Sequence, residues 1–83
     1  VDIFYSEKAV KDLEQCSKDV QQRIADKMRY YAQQEDPMKF AKRLTNVAEG
    51  EFRFRIGDYR IIFDVSLNTI FVLRILHRSK AYE

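Results

Sequence analysis

Residues 52–65 read Phe52-Arg53-Phe54-Arg55-Ile56-Gly57-Asp58-Tyr59-Arg60-Ile61-Ile62-Phe63-Asp64-Val65. Phe52, Phe54 and Ile56 alternate with Arg53 and Arg55, the period-two pattern of a half-buried strand. Gly57-Asp58 follows as a two-residue hairpin turn, with glycine supplying the positive φ that such turns require. Pairing Ile56 with Tyr59 sets Arg55 opposite Arg60 and Arg53 opposite Ile62. The core face then holds Phe52, Phe54, Ile56, Tyr59, Ile61 and Phe63, and Arg53, Arg55 and Arg60 stand on the open face. Like charges directly opposite one another destabilise a sheet, so the facing arginines point to an anionic ligand.

Upstream of the hairpin, Asp2-Ile3-Phe4-Tyr5 reads as a short strand. Ser6 is a good N-cap, and Ala9, Val10 and Leu13 follow it at helical spacing. Ser17 and Asp19 start a second helix, in which Val20, Ile24, Met28 and Tyr31 recur at spacings of four, four and three and form one apolar stripe. The two helices are expected to form a hairpin ending at Gln33-Gln34-Glu35-Asp36-Pro37, because proline disfavours helix in the residue before it. Met38 to Glu49 has the least pattern and carries Lys39, Lys42 and Arg43.

Downstream, Ser66-Leu67-Asn68-Thr69 is a turn and Ile70 to His77 a strongly apolar strand. Its expected core set is Phe71, Leu73 and Ile75, with Ile70, Val72, Arg74 and Leu76 outward. A three-residue loop between Val65 and Thr69 then places Arg74 opposite Arg60, extending the row to Arg55, Arg60 and Arg74. A slip of one residue would invert this assignment. Arg78-Ser79-Lys80-Ala81-Tyr82-Glu83 forms a basic-aromatic tail. The order β-α-α-β-β-β predicts an α+β two-layer fold. The N-terminal strand and helical hairpin pack on a three- to four-stranded antiparallel sheet, as one domain over residues 1–83.

Composition narrows the functional classes. The chain is 46% hydrophobic and 34% charged, as expected for a globular domain. No apolar run approaches the roughly 20 residues of a membrane span, and the first residues show no signal-peptide pattern. A single cysteine, Cys16, provides no internal disulfide and fits a reducing cytoplasm. With one cysteine and one histidine, a zinc site is not expected, and neither is another cofactor. Residues 1–37 carry six Lys/Arg against eight Asp/Glu, a balance of −2, while residues 38–83 carry nine against five, a balance of +4. This asymmetry suits a basic strand surface meeting a polyanion. Arginine forks bind phosphate bidentately, and an exposed aromatic such as Tyr82 among cations favours single-stranded RNA over duplex.

The hairpin, with its R-x-R-x-G-x-Y-R pattern, resembles the RelE/ParE toxin superfamily. Val72-Leu73-Arg74-Ile75-Leu76-His77-Arg78 and Tyr82 resemble that family's closing strand and tail, and the helical hairpin and length also match. The resemblance to RelE-like members implies a type II toxin that cuts mRNA in the A site of the 70S ribosome and is neutralised by a RelB-like antitoxin. The alternative is a ParE-like inhibitor of DNA gyrase without nuclease chemistry. On the RelE pattern, Arg53 and Arg55 match the paired basic positions, and Arg60 matches the arginine that contacts the scissile phosphate. Arg78 and Tyr82 match the C-terminal basic and aromatic positions. Arg74, Lys80, Lys42, Arg43 and Lys39 are the expected RNA-binding cations.

Metal-free cleavage needs a base for the ribose 2′-hydroxyl, charge stabilisation at phosphorus and an acid for the leaving oxygen. Arginine serves the second role but is a poor proton acceptor. Family members can carry lysine where this chain has Arg53 and Arg55. His77 and Tyr82 are therefore the expected proton-transfer groups.

Overall fold

Gly57 takes φ 58°, and strands β3 (Phe52–Ile56) and β4 (Tyr59–Ser66) fold back across it. The register is the expected one: Arg55 pairs with Arg60, Arg53 with Ile62 and Ile56 with Tyr59. The computed structural model describes residues 1–45 and 49–81. It continues from β4 into β5 (Thr69–His77) and ends in a short helix, α3 (Arg78–Ala81). On the N-terminal side stand β1 (Asp2–Tyr5), α1 (Glu7–Glu14) and α2 (Lys18–Gln33). A 3-10 turn at Pro37–Phe40 and the two-residue β2 (Lys42–Arg43) follow.

The strands form one sheet in the order β1-β5-β4-β3-β2. The α+β two-layer architecture is as expected, with a sheet one strand wider than anticipated because Lys42 and Arg43 pair with Arg53 and Phe52. β1 lies parallel to β5, with Asp2 beside Thr69 and Tyr5 beside Val72, so the sheet is mixed.

Both predicted N-caps are formed. Ser6 Oγ accepts from the Ala9 N–H at 3.0 Å and Ser17 Oγ from the Val20 N–H at 3.3 Å, each satisfying a donor that the first helical turn leaves open. The stripe of α2 buries Ile24, Met28 and Tyr31. Tyr31 stacks on Phe54 at 4.4 Å and Phe54 on Phe63 at 4.3 Å between ring centroids. Phe54, Ile56, Ile61 and Phe63 are buried as predicted, with Phe52 and Tyr59 at the core margin. Of the three residues read at helical spacing on α1, Ala9 is buried and Leu13 packs against the core, while Val10 is exposed.

The face assignment of β5 is corrected. Ile62 pairs with Arg74, but Phe63 pairs with Val72, so Leu73 is an extra residue, a β-bulge. Before the bulge, Ile70 and Val72 are buried and Phe71 is outward; after it, Ile75 is buried. Ser66 pairs with Thr69 across Leu67-Asn68, whose φ values of 48° and 60° make a two-residue turn rather than the expected three-residue loop. As a result Arg60 faces Leu76, and Arg74 faces Ile62.

The edge of β5 beyond β1 is covered by backbone and side-chain groups of the segment entering and forming α1. Ser6 N donates to Val72 O at 2.9 Å and Ser6 Oγ to Leu73 O at 2.9 Å. Asp12 accepts from Ile75 N at 2.9 Å and from Arg74 Nε and Nη2 at 2.8 and 3.1 Å. Burial alone would raise the Asp12 carboxyl. The hydrogen bonds from Arg74 and Ile75, with the charges of Arg74 and Lys80, outweigh it and hold the group below its ordinary 3.8.

Two stability effects follow. Asp12→Asn should lower the free energy of unfolding by about 2 kcal/mol at neutral pH in urea titrations. A depressed folded-state value means that this contribution is complete above 3.8 and is lost as pH falls through the lower folded value, so the gap to the wild type should close there. At Gly50, φ is 151° and an added Cβ would lie 2.6 Å from Ile62 Cγ2 and 3.2 Å from Leu73 Cδ1. Gly50→Ala should therefore cost about 1–3 kcal/mol, measured as a reduced urea midpoint with unchanged slope.

Candidate anion-binding site at the hairpin turn

Side chains two apart on a strand share a face, and directly paired residues do so across strands. Arg53 and Arg55 on β3, Arg60 and Ile62 on β4, and Arg74 and Leu76 on β5 therefore stand on the face away from α2. Lys42 joins them at the edge, paired with Arg53. Within this set the cations are not equivalent.

Arg55, Arg60 and Arg78 converge with Gly57, Asp58 and Tyr59 on a cleft of about 110 Å³ at the hairpin turn. Arg78 reaches it because its N–H donates to Asp58 O at 2.7 Å, tying the start of α3 to the turn. Its Nε lies 3.8 Å from Asp58 Oδ1. Three guanidiniums around a space of this size can offer several charge-assisted hydrogen bonds to a phosphate group. Arg74, expected to complete the row, turns to Asp12 instead; the bulge places it opposite Ile62, within reach of α1.

His77 is brought to the hairpin end, but on the other face. It pairs with Tyr59, and the two rings meet edge-on at 5.2 Å. Its Nδ1 accepts from the Ser79 N–H at 3.2 Å and contacts Ser79 Oγ at 2.9 Å, so the ring caps α3 and presents Nε2 as its protonated nitrogen when neutral. Tyr59 is held above its ordinary 10.0, first by burial and then by a hydrogen bond with Cys16 and the nearby Cys16 and Asp58 charges.

The remaining predicted cations lie apart from the cleft. Lys80 sits on α3 near Asp12. Lys39 is exposed on the 3-10 turn. The Arg43 guanidinium lies 5.0 Å over the Phe52 ring. Tyr82 lies outside the described residues. Asp58, read from sequence only as a turn residue, is the cleft member that was missed, and a carboxylate inside an arginine cluster was the available signal.

The facing pair carries a measurable cost. Arg55→Thr should raise stability by about 0.5 kcal/mol at low salt, with the gain shrinking as salt is added in parallel thermal melts.

Comparison with known proteins gives the arrangement its family. One chain of the RelBE2 toxin–antitoxin complex from Mycobacterium tuberculosis shares the fold with a TM-score of 0.78 at 21% identity, covering 94% of this chain and 91% of that one. A chain of the RelB–RelE antitoxin–toxin complex from Methanococcus jannaschii aligns with a TM-score of 0.70 at 25% identity, over 96% of this chain and 95% of that one. No curated protein matches at the level of sequence. Residues 3–82 match the family model described as the ParE toxin of the type II toxin–antitoxin system, parDE, and the chain therefore belongs to the RelE/ParE family of type II toxins.

Proposed function

We propose that this toxin is a metal-independent endoribonuclease that cuts mRNA in the ribosomal A site, and that a RelB-like antitoxin keeps it inactive. The observation that carries this reading is the convergence of Arg55, Arg60 and Arg78 on one phosphate-sized cleft at the hairpin turn. Charge stabilisation of a phosphorane-like transition state is the largest single demand of such a reaction, and guanidiniums gathered around one phosphate group are suited to it. Arg53 and Lys42 continue the cationic surface along the open face, where they suit the flanking phosphates of a single strand. The ribosome would supply the orientation of the mRNA.

On this reading the antitoxin would cover the same face. Beside the arginine cleft, Ile62, Leu73 and Leu76 line a second cleft of about 470 Å³ with Glu7, Lys8, Glu49 and Arg74 around it. Apolar side chains of an antitoxin helix would fill it while acidic ones cover the arginines. Both structural relatives are toxin–antitoxin complexes, which supports a partner of this kind.

A gyrase inhibitor is the second reading, and the matched family model, described by a ParE toxin, favours it. The two readings part in one experiment. Purified protein is added to ribosomes programmed with mRNA, cuts are mapped by primer extension, and gyrase supercoiling is assayed in parallel. The expected result is A-site cleavage, reduced about 100-fold or more by Arg60→Ala without loss of the folded domain by circular dichroism. Intact mRNA together with blocked supercoiling would establish the gyrase reading instead.

A further inference from the structure

Transfer of a ribose 2′-oxygen to phosphorus needs a group that takes the 2′-hydroxyl proton. Arg55, Arg60 and Arg78 cannot, since a guanidinium stays protonated. Tyr59 projects to the helix face and engages Cys16. His77 shares that face, with Nδ1 already accepting from Ser79 N. Among the described residues lining the cleft, Asp58 carries the one carboxylate.

The geometry suits that role. The positive φ of Gly57 makes the tight turn that holds Asp58 at the mouth of the cleft. The Arg78 N–H fixes its carbonyl at 2.7 Å, and Arg78 Nε faces its carboxylate at 3.8 Å. The side chain is 64% exposed, open to a nucleotide. An exposed ion pair of that length contributes little stability, which leaves the carboxylate poorly explained as a structural element.

We infer that Asp58 is the general base of the cleft and that its substrate is single-stranded RNA with a 2′-hydroxyl beside the bound phosphate. This rests on the endoribonuclease reading above. The 2′-O–H proton passes to a carboxylate oxygen of Asp58. The 2′-oxygen forms its bond to phosphorus and the bond from phosphorus to the 5′-oxygen breaks, with that oxygen leaving with a proton from water. The products are a 2′,3′-cyclic phosphate and a 5′-hydroxyl. Arg55, Arg60 and Arg78 hold the phosphoryl oxygens, and Arg78 also aims the carboxylate.

The test uses the full chain on programmed ribosomes, with Asp58→Asn and Asp58→Glu compared with the wild type in single-turnover cleavage. The amide variant keeps the backbone bond to Arg78, so the fold, checked by thermal melt, should persist. Asp58→Asn should slow cleavage about 100-fold while binding of an mRNA with a 2′-deoxy residue at the cut site stays within about threefold. Without its base the variant depends on hydroxide. Its rate should then climb on the order of tenfold per pH unit from about pH 6.5 to about 8.5, where the wild type stays nearly flat. Asp58→Glu should recover part of the rate and the flat profile.

An Asp58→Asn rate within about threefold of the wild type would overturn the assignment. So would a slow variant that keeps the wild-type pH profile, because the carboxylate would then only position Arg78. If the wild type itself leaves mRNA intact, the endoribonuclease reading falls and the base falls with it, a result distinct from either failure of the variant.

Discussion

The carboxylate of Asp12 is the joint on which the rest of the molecule turns. It accepts two hydrogen bonds from Arg74 and one from the Ile75 backbone, the two residues that follow the Leu73 bulge. β1 covers the edge of β5 only as far as Val72, and Ser6 and Asp12 satisfy backbone groups beyond it. A strand edge left open in this way would expose unpaired donors and acceptors. The bulge also moves the second half of β5 by one position, which turns Arg74 and Leu76 to the open face and brings the chain at Arg78 to the hairpin turn.

The cleft also shows a conflict between folding and binding. Facing arginines weaken the pairing of β3 and β4, and the fold compensates behind them, where Phe54 and Phe63 stack within the aromatic core under α2. The arginines occupy the open face of the hairpin, while Phe54, Ile56, Ile61 and Phe63 on its other face are buried. Such a division lets a small domain hold concentrated positive charge without placing it in the core.

The hairpin was legible from sequence because two independent signals agreed: strict alternation from Phe52 to Ile56 and the turn chemistry of Gly57-Asp58. The helices were legible for a similar reason, with Ser6 and Ser17 marking their starts. β5 was harder, since Ile70 to Leu73 is apolar throughout and alternation cannot choose a face. The extra residue at Leu73 leaves no local mark. β2 spans two residues, too few for any period. The pairing of Arg74 with Asp12 joins positions 62 apart in the chain, beyond the reach of local pattern. Asp58 was visible but absorbed by its role in the turn, so its place among the guanidiniums became evident only when Arg78 came to rest beside it.

The parallel pairing of β1 with β5 has a kinetic side. Asp2 meets Thr69 and Tyr5 meets Val72, so the first strand to be synthesised can be paired only after the last one exists. Closing so long a loop is entropically expensive and slow compared with forming the local β3–β4 hairpin. During synthesis the hairpin and helices can form early, while β1 waits and the backbone of β5 has no neighbour on that side. Arg74 gains its Asp12 partner only when the N-terminal segment docks on β5, so the first residues of the chain complete the strand that was made last.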